Sequence, residues 1–227
     1  MKAEKRFPEL DALRGIAVFM MVLYHLLFDL AYFYGWDIPV YEGFWKIFAR
    51  VAAMLFLLLV GICFVISWER GGKYPKYLRR SLIIFSGGMI ISLITYFIAK
   101  ESYVRFGILH LIGISALLQP LFAPFKKWNA LLGAALLLTF YTFTPSLPPT
   151  PSLDYFPLLP WFPIILIGMG GGFLLYAPRK HLLERFDAFR IPKILLWSGR
   201  YSLWIYFVHQ PVLLMLLSLA LGRPFPA

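Results

Sequence analysis

Seven stretches of apolar residues recur along this chain, each near the ~20 residues a helix needs to cross a hydrocarbon core, with only short polar connections between them. They run Leu10 to Tyr34, Gly43 to Trp68, Ser81 to Ala99, Phe106 to Ala123, Trp128 to Phe143, Pro160 to Tyr176 and Ile194 to Leu221. No apolar/polar alternation is present, so strands are not expected. A backbone in lipid must satisfy its own N–H and C=O groups, which leaves helices. Composition agrees: 60% of the 227 residues are hydrophobic and only 15% are charged. A soluble domain of this length cannot hide that much apolar surface. The expected fold is an all-α polytopic membrane bundle of about seven transmembrane helices, forming a single domain over residues 1–227.

The basic residues test the count. The net charge is +11. Lys and Arg lie between apolar runs, which fits a membrane topology and not a nucleic-acid partner. One set of connections holds Lys2, Lys5 and Arg6, then Arg70, Lys73, Lys76, Arg79 and Arg80, then Lys126 and Lys127, then Arg179, Lys180, Arg185, Arg190 and Lys193. The alternate connections hold mainly Lys46, Lys100, Arg105 and Arg223, with Asp37, Glu42, Glu101 and Asp154. The proline-rich stretch Thr144 to Pro160 has no Lys or Arg. The positive-inside rule then puts the N-terminus in the cytosol and the C-terminus outside. The start of the chain has no A-x-A-like cleavage site, so the first apolar run is expected to stay as a helix. Cys63 lies inside an apolar run and permits no intrachain disulfide.

The first helix carries Asp11, Arg14, His25 and Asp29 in an otherwise apolar run. At about 100° per residue the four fall within roughly 60° of one another, a single polar stripe. Charges at such depth are costly and face a bundle interior, a partner or water. Asp11 and Arg14 have the spacing of a structural i, i+3 ion pair. His25 and Asp29, at i and i+4, have the spacing of a buried hydrogen-bonded pair. The same spacing suits a base whose tautomer a carboxylate fixes, leaving the other nitrogen free.

Further polar residues are expected at similar depth. His110 stands near the outer end of the fourth helix, and His209 well along the seventh. Ser202, Tyr206 and His209 share a face by the i, i+4, i+7 rule, with Arg200 opposite unless Gly199 distorts the helix. Pro211 is expected to kink that helix. Each histidine also suits a satisfied core position, and His181 suits a solvated one. The run Gly168 to Gly172 favours close helix packing over ligand approach. No metal-ligand spacing such as HExxH occurs, and no metal is expected.

The segments LDALRGIAVFMMVLYHLLFDL, FGILHLIG, LPWFPIILIGMGGG and GRYSLWIYFVHQPVL resemble, in order and over most of the chain, the heparan-alpha-glucosaminide N-acetyltransferase catalytic family, and more narrowly its short prokaryotic branch. The resemblance implies a membrane-embedded acyltransferase moving an acetyl group from cytosolic acetyl-CoA, its co-substrate, to an amine or hydroxyl acceptor, a sugar in the family. In lysosomal members a histidine after the first helix is held to be catalytic. Residues Ala31 to Phe44 here contain none, and His25 stands where those members have an asparagine. The base is therefore expected at His25, oriented by Asp29, with His110, Tyr206 or His209 positioning the acceptor or stabilising an oxyanion. Arg14 and Arg200, with Tyr206, are the expected cofactor-binding residues near the inner surface. The expected partners are acetyl-CoA, a small-molecule or glycan acceptor and the bilayer of the cell membrane, with a homodimer left open. The rival class is a small proton-coupled transporter or channel, because intramembrane Asp and His also build proton relays. A non-catalytic membrane scaffold is a third class.

Overall fold

The computed structural model describes residues 7–144, 152–176 and 191–222. Their elements are helices α1 (Pro8–Tyr32), α2 (Gly43–Glu69), α3 (Tyr74–Ile98), α4 (Ile108–Phe122), a 3-10 turn (Ala123–Trp128), α5 (Asn129–Phe143), α6 (Leu158–Leu175), α7 (Lys193–Arg200) and α8 (Ser202–Leu221). Among the described residues there is no β-strand, only an isolated bridge between Phe106 and Tyr155. Most of the expected basic connection after the sixth apolar run, His181 included, lies outside the described residues, as do residues 145–151.

Among the described residues, six helical elements are long and apolar enough to cross a membrane. One of them, Ile108–Phe143, is a compound of α4, the 3-10 turn and α5. Lys126 breaks it with a positive φ of 49°, and the Asn129 side chain amide donates to the carbonyls of Phe122 and Lys126, both at 2.9 Å. These bonds satisfy carbonyls that a helix end leaves open. The chain is thus a polytopic helical membrane protein with about seven apolar helices. The short amphipathic α7 is an addition.

The expected seventh span needs correction. Ile194 to Leu221 is not one helix. Tyr201 (φ −101°, ψ 17°) separates α7 from α8, so the apolar span begins at Ser202. α7 packs closely on α1. A Cβ on Gly199 would collide with the Asp11 carbonyl, and one on Gly15 with the Leu195 carbonyl. Only glycine lets the two backbones approach so closely, and α7 lies along α1 in consequence. α3 differs in the opposite sense. It starts at Tyr74, about two turns before the apolar run, because Pro75 suits the first turn and Tyr77 is buried beside Phe64 and Trp68.

The contacts divide the chain into two units, residues 1–56 with 183–227, and residues 57–182. In the first, α1 packs on α7 and α8, and Tyr34 and Ser218 join their hydroxyls at 3.1 Å. In the second, α3 lies along α4, and α5 along α6. The Gly168–Gly172 run is a packing surface, the expected reading. A Cβ on Gly168 would meet the Leu58 carbonyl, one on Gly170 the Ala130 backbone, and one on Gly172 the Val65 side chain, whereas Gly171 has open space. Reciprocally, Gly61 of α2 abuts the Ile165 carbonyl.

Candidate functional site

The polar stripe of α1 is held at two levels. At its N-terminal end Asp11, 6% exposed, pairs with Arg14 (Nη1–Oδ1, 3.1 Å) and with Arg200 (Nε–Oδ2, 3.7 Å). Arg14 Nη1 also donates to the Gly199 carbonyl at 3.4 Å. The break after α7 therefore brings Arg200 to the stripe, where an unbroken seventh helix would have turned it away. Two cations share one buried carboxylate. Arg14 is largely covered and Arg200 half exposed, so Arg200 is the better placed to meet an anion from water.

About 16 Å beyond Arg14 along α1, at 1.5 Å per residue, lies His25, with Asp29 one turn further. Neither orients the other. His25 Nδ1 is 2.9 Å from the Met21 carbonyl. A carbonyl can only accept, so Nδ1 carries the proton and Nε2 keeps the lone pair. Asp29, 0% exposed, turns to α8, where Gln210 Nε2 donates to its Oδ1 at 2.6 Å. The expected Asp29-to-His25 bond is corrected on this point: the helix's own backbone, one turn earlier, is the nearer acceptor for an imidazole Nδ1–H.

α8 supplies the matching pair. His209 Nδ1 donates to the Tyr206 carbonyl at 2.7 Å, which makes its Nε2 an acceptor as well. The His209 and His25 rings meet edge to face with centroids 4.8 Å apart. Tyr206 lies against His209, centroids 5.5 Å apart. Gln210 is the residue that sequence reasoning missed. The signal was its place beside His209, one position from the face already singled out.

The cluster has an unusual hydrogen-bond balance. Asp29 Oδ2, His209 Nε2 and Gln210 Oε1 are buried and have no partner. Buried polar atoms are nearly always satisfied, and these three belong to the hydrogen-bonded pair Asp29 and Gln210 and to His209, the neighbour of Gln210 in α8. All three are acceptors when Asp29 is ionised, and His25 Nε2 is a fourth. The site is built to receive N–H or O–H groups. No group of three or more His, Cys, Asp or Glu that could hold a metal occurs among the described residues.

Tyr24 and the aromatic residues beyond it rim this end of α1. The Tyr24 hydroxyl donates to the Val40 carbonyl at 3.3 Å. Phe28 stacks on Tyr32 at 5.3 Å and meets Tyr41 edge-on at 5.9 Å. Gly35, with φ 71°, turns the chain back after α1, a conformation that favours glycine.

His110 belongs to the unit of residues 57–182 and is 2% exposed. Its Nδ1 accepts the Gly107 N–H at 3.1 Å, so its proton is on Nε2, which is 3.5 Å from Ser92 Oγ. It reaches back from the third residue of α4 to the residue before the helix, as a capping side chain does. Asp154 Oδ2 takes the next N–H, of Ile108, at 3.0 Å. Phe85 and Phe106 flank the ring, and Gly88 leaves room for it. Every polar atom of this imidazole has a structural neighbour, which sets it apart from His25 and His209.

The family model for the heparan-alpha-glucosaminide N-acetyltransferase catalytic region matches residues 6–211, which span the stripe of α1 and His209 and Gln210 of α8. No curated protein and no solved structure matches the chain.

Proposed function

From the heparan-alpha-glucosaminide N-acetyltransferase catalytic family, to which this chain belongs, we propose that it transfers an acetyl group from acetyl-CoA to a primary amine, on a sugar as in the family, with His25 as the base. Membership makes it a membrane acyltransferase. The donor, the acceptor and the base are what the proposal adds.

The observation that carries it is the acceptor-only cluster of α1 and α8: three buried orphans, Asp29 Oδ2, His209 Nε2 and Gln210 Oε1, beside an imidazole whose Nε2 lone pair is free. An ammonium has three N–H donors and a charge that Asp29 balances. A hydroxyl has one donor and no charge, so the cluster favours an amine. Once neutral, the amine nitrogen attacks the thioester carbonyl carbon and the C–S bond breaks. His25 Nε2 takes a proton from the attacking nitrogen and passes it to the leaving sulfur, giving free CoA thiol. Desolvation by the surrounding apolar helices strengthens each of these electrostatic contacts.

The donor's phosphates are anionic and suit Arg200, with Arg14 and Asp11 fixing that end of α1 against α7. With the N-terminus cytosolic, this end faces the cytosol, where acetyl-CoA is made, and the protein resides in the cell membrane. Asp29 anchors the ammonium in this reading and does not orient His25. His110 serves the fold of α4.

Purified protein in detergent tests the donor. Acetyl-CoA binds only the folded form, so it should raise the melting temperature, by an amount that grows with the logarithm of its concentration above Kd. Arg200→Gln should weaken this shift about tenfold in apparent Kd, while the unliganded melting temperature moves little because Arg200 is half exposed. Saturating acetyl-CoA with no shift in the wild type overturns the acyl-CoA reading.

A further inference from the structure

His25 and His209 present two bases where a single acyl transfer is usually drawn with one. Both imidazoles donate Nδ1–H to a carbonyl of their own helix, Met21 and Tyr206, at 2.9 and 2.7 Å. Both therefore keep an Nε2 lone pair, and their rings are in contact. That is a redundant arrangement for a core pair, since His209 Nε2 is buried without a partner, which is costly. It is not redundant for an amine substrate. A protonated amine, R–NH3+, loses two protons in becoming an amide, and only one of them ends on the CoA sulfur.

We propose that His209 is the second proton acceptor of the reaction, and that it removes the first proton from the bound ammonium before attack. The inference rests on the amine reading above. The ammonium sits with N–H bonds to Asp29 Oδ2, Gln210 Oε1 and His209 Nε2. His209 Nε2 takes one proton and leaves a neutral amine with its lone pair free. The nitrogen attacks the thioester carbon. His25 Nε2 removes the second proton and delivers it to the departing thiolate. The sum is R–NH3+ plus acetyl-CoA giving the acetamide, CoA thiol and one proton, which His209 releases to solvent.

The titratable groups in contact with His209 are His25 on α1 and Tyr206 on its own helix, and Asp29 is bonded to the adjacent Gln210. His25 is the group whose protonation would oppose that of His209, so the two imidazoles are expected to charge in turn and not together. Gln210 is a positioning residue here. By holding Asp29 Oδ1 it leaves Oδ2 for the ammonium.

The test uses full-length protein in detergent with acetyl-CoA and two primary amines of different basicity, glucosamine and ethanolamine, as probes. His209→Asn is the informative variant, because its side-chain amide can still donate to the Tyr206 carbonyl in place of Nδ1 and so keeps the fold. At a pH well below the amine's own pKa, transfer by His209→Asn should fall tenfold or more. The deficit should close as pH rises through that pKa, where free amine is supplied by solution, and the crossover should move to higher pH for the more basic probe. His25→Asn should show a deficit that no pH closes. A merely structural role for His209 predicts the same fractional loss at every pH and for both probes, and that result overturns the proposal alone. A wild type that acetylates neither amine overturns the amine reading beneath it, and the proposal with it.

Discussion

Residue by residue, the histidines part company through what each nitrogen touches. His110 has Gly107 N–H on one side and Ser92 on the other, whereas His25 and His209 each spend one nitrogen on their own helix and keep the other. The substitutions that follow are easily told apart. His25→Asn retains a donor for the Met21 carbonyl, so the protein should fold with its acetyl-CoA melting shift intact while transfer falls about 10²–10⁴-fold, the usual worth of a positioned base. His110→Ala strands a buried Gly107 N–H and should cost about 1–3 kcal/mol of stability, yet leave turnover per folded molecule near that of the wild type. The measurements are melting temperature and single-preparation kinetics. The reverse pattern, turnover lost at position 110 and kept at 25, would move the base to α4.

Among the elements, contacts between helices depend on glycine more than on any polar pair. Gly61 and Gly168 bring α2 and α6 together within the unit of residues 57–182, as Gly15 and Gly199 do for α1 and α7 in the other. A methyl added at Gly168 meets backbone, which cannot move aside. Gly168→Ala should therefore destabilise the fold by about 1–3 kcal/mol through overpacking. Gly171→Ala, in the same run and facing open space, should be neutral or slightly stabilising. Thermal unfolding of the two variants side by side checks this. Equal effects would mean that helix propensity, and not close approach, explains the glycines. The α1–α7 contact also has a consequence for the site, since it is what brings Arg200 to Asp11.

For the whole molecule, the testable property is orientation in the membrane. The charge pattern puts residues 144–160 outside and 179–193 in the cytosol. Cysteine labelling decides it once Cys63 is replaced by alanine to remove the native thiol. In intact cells a cysteine at Ser152 should react with an impermeant maleimide, and one at Lys193 only after lysis. Labelling of the second and not the first reverses the topology, and with it the side from which the proposed donor would arrive.

The sequence alone determined that the chain is helical and membrane-spanning, because hydrophobic length and backbone self-satisfaction leave a bilayer few other solutions. It also determined the stripe of Asp11, Arg14, His25 and Asp29, since helical periodicity fixes which residues share a face. The family was legible too, from four segments in order, and the match over residues 6–211 agrees. Tertiary structure decided who partners whom. Periodicity says that Asp29 and His25 share a face, but not that Gln210 from a helix 181 residues away is there to take the carboxylate. It could not show the break at Tyr201 either, nor that Gly199 meets the backbone of Asp11, 188 positions away, a contact that exists only once the two helices have met. Local sequence sets what a segment can form. Which carboxylate finds which donor depends on the closest approach of helices that are strangers in the chain.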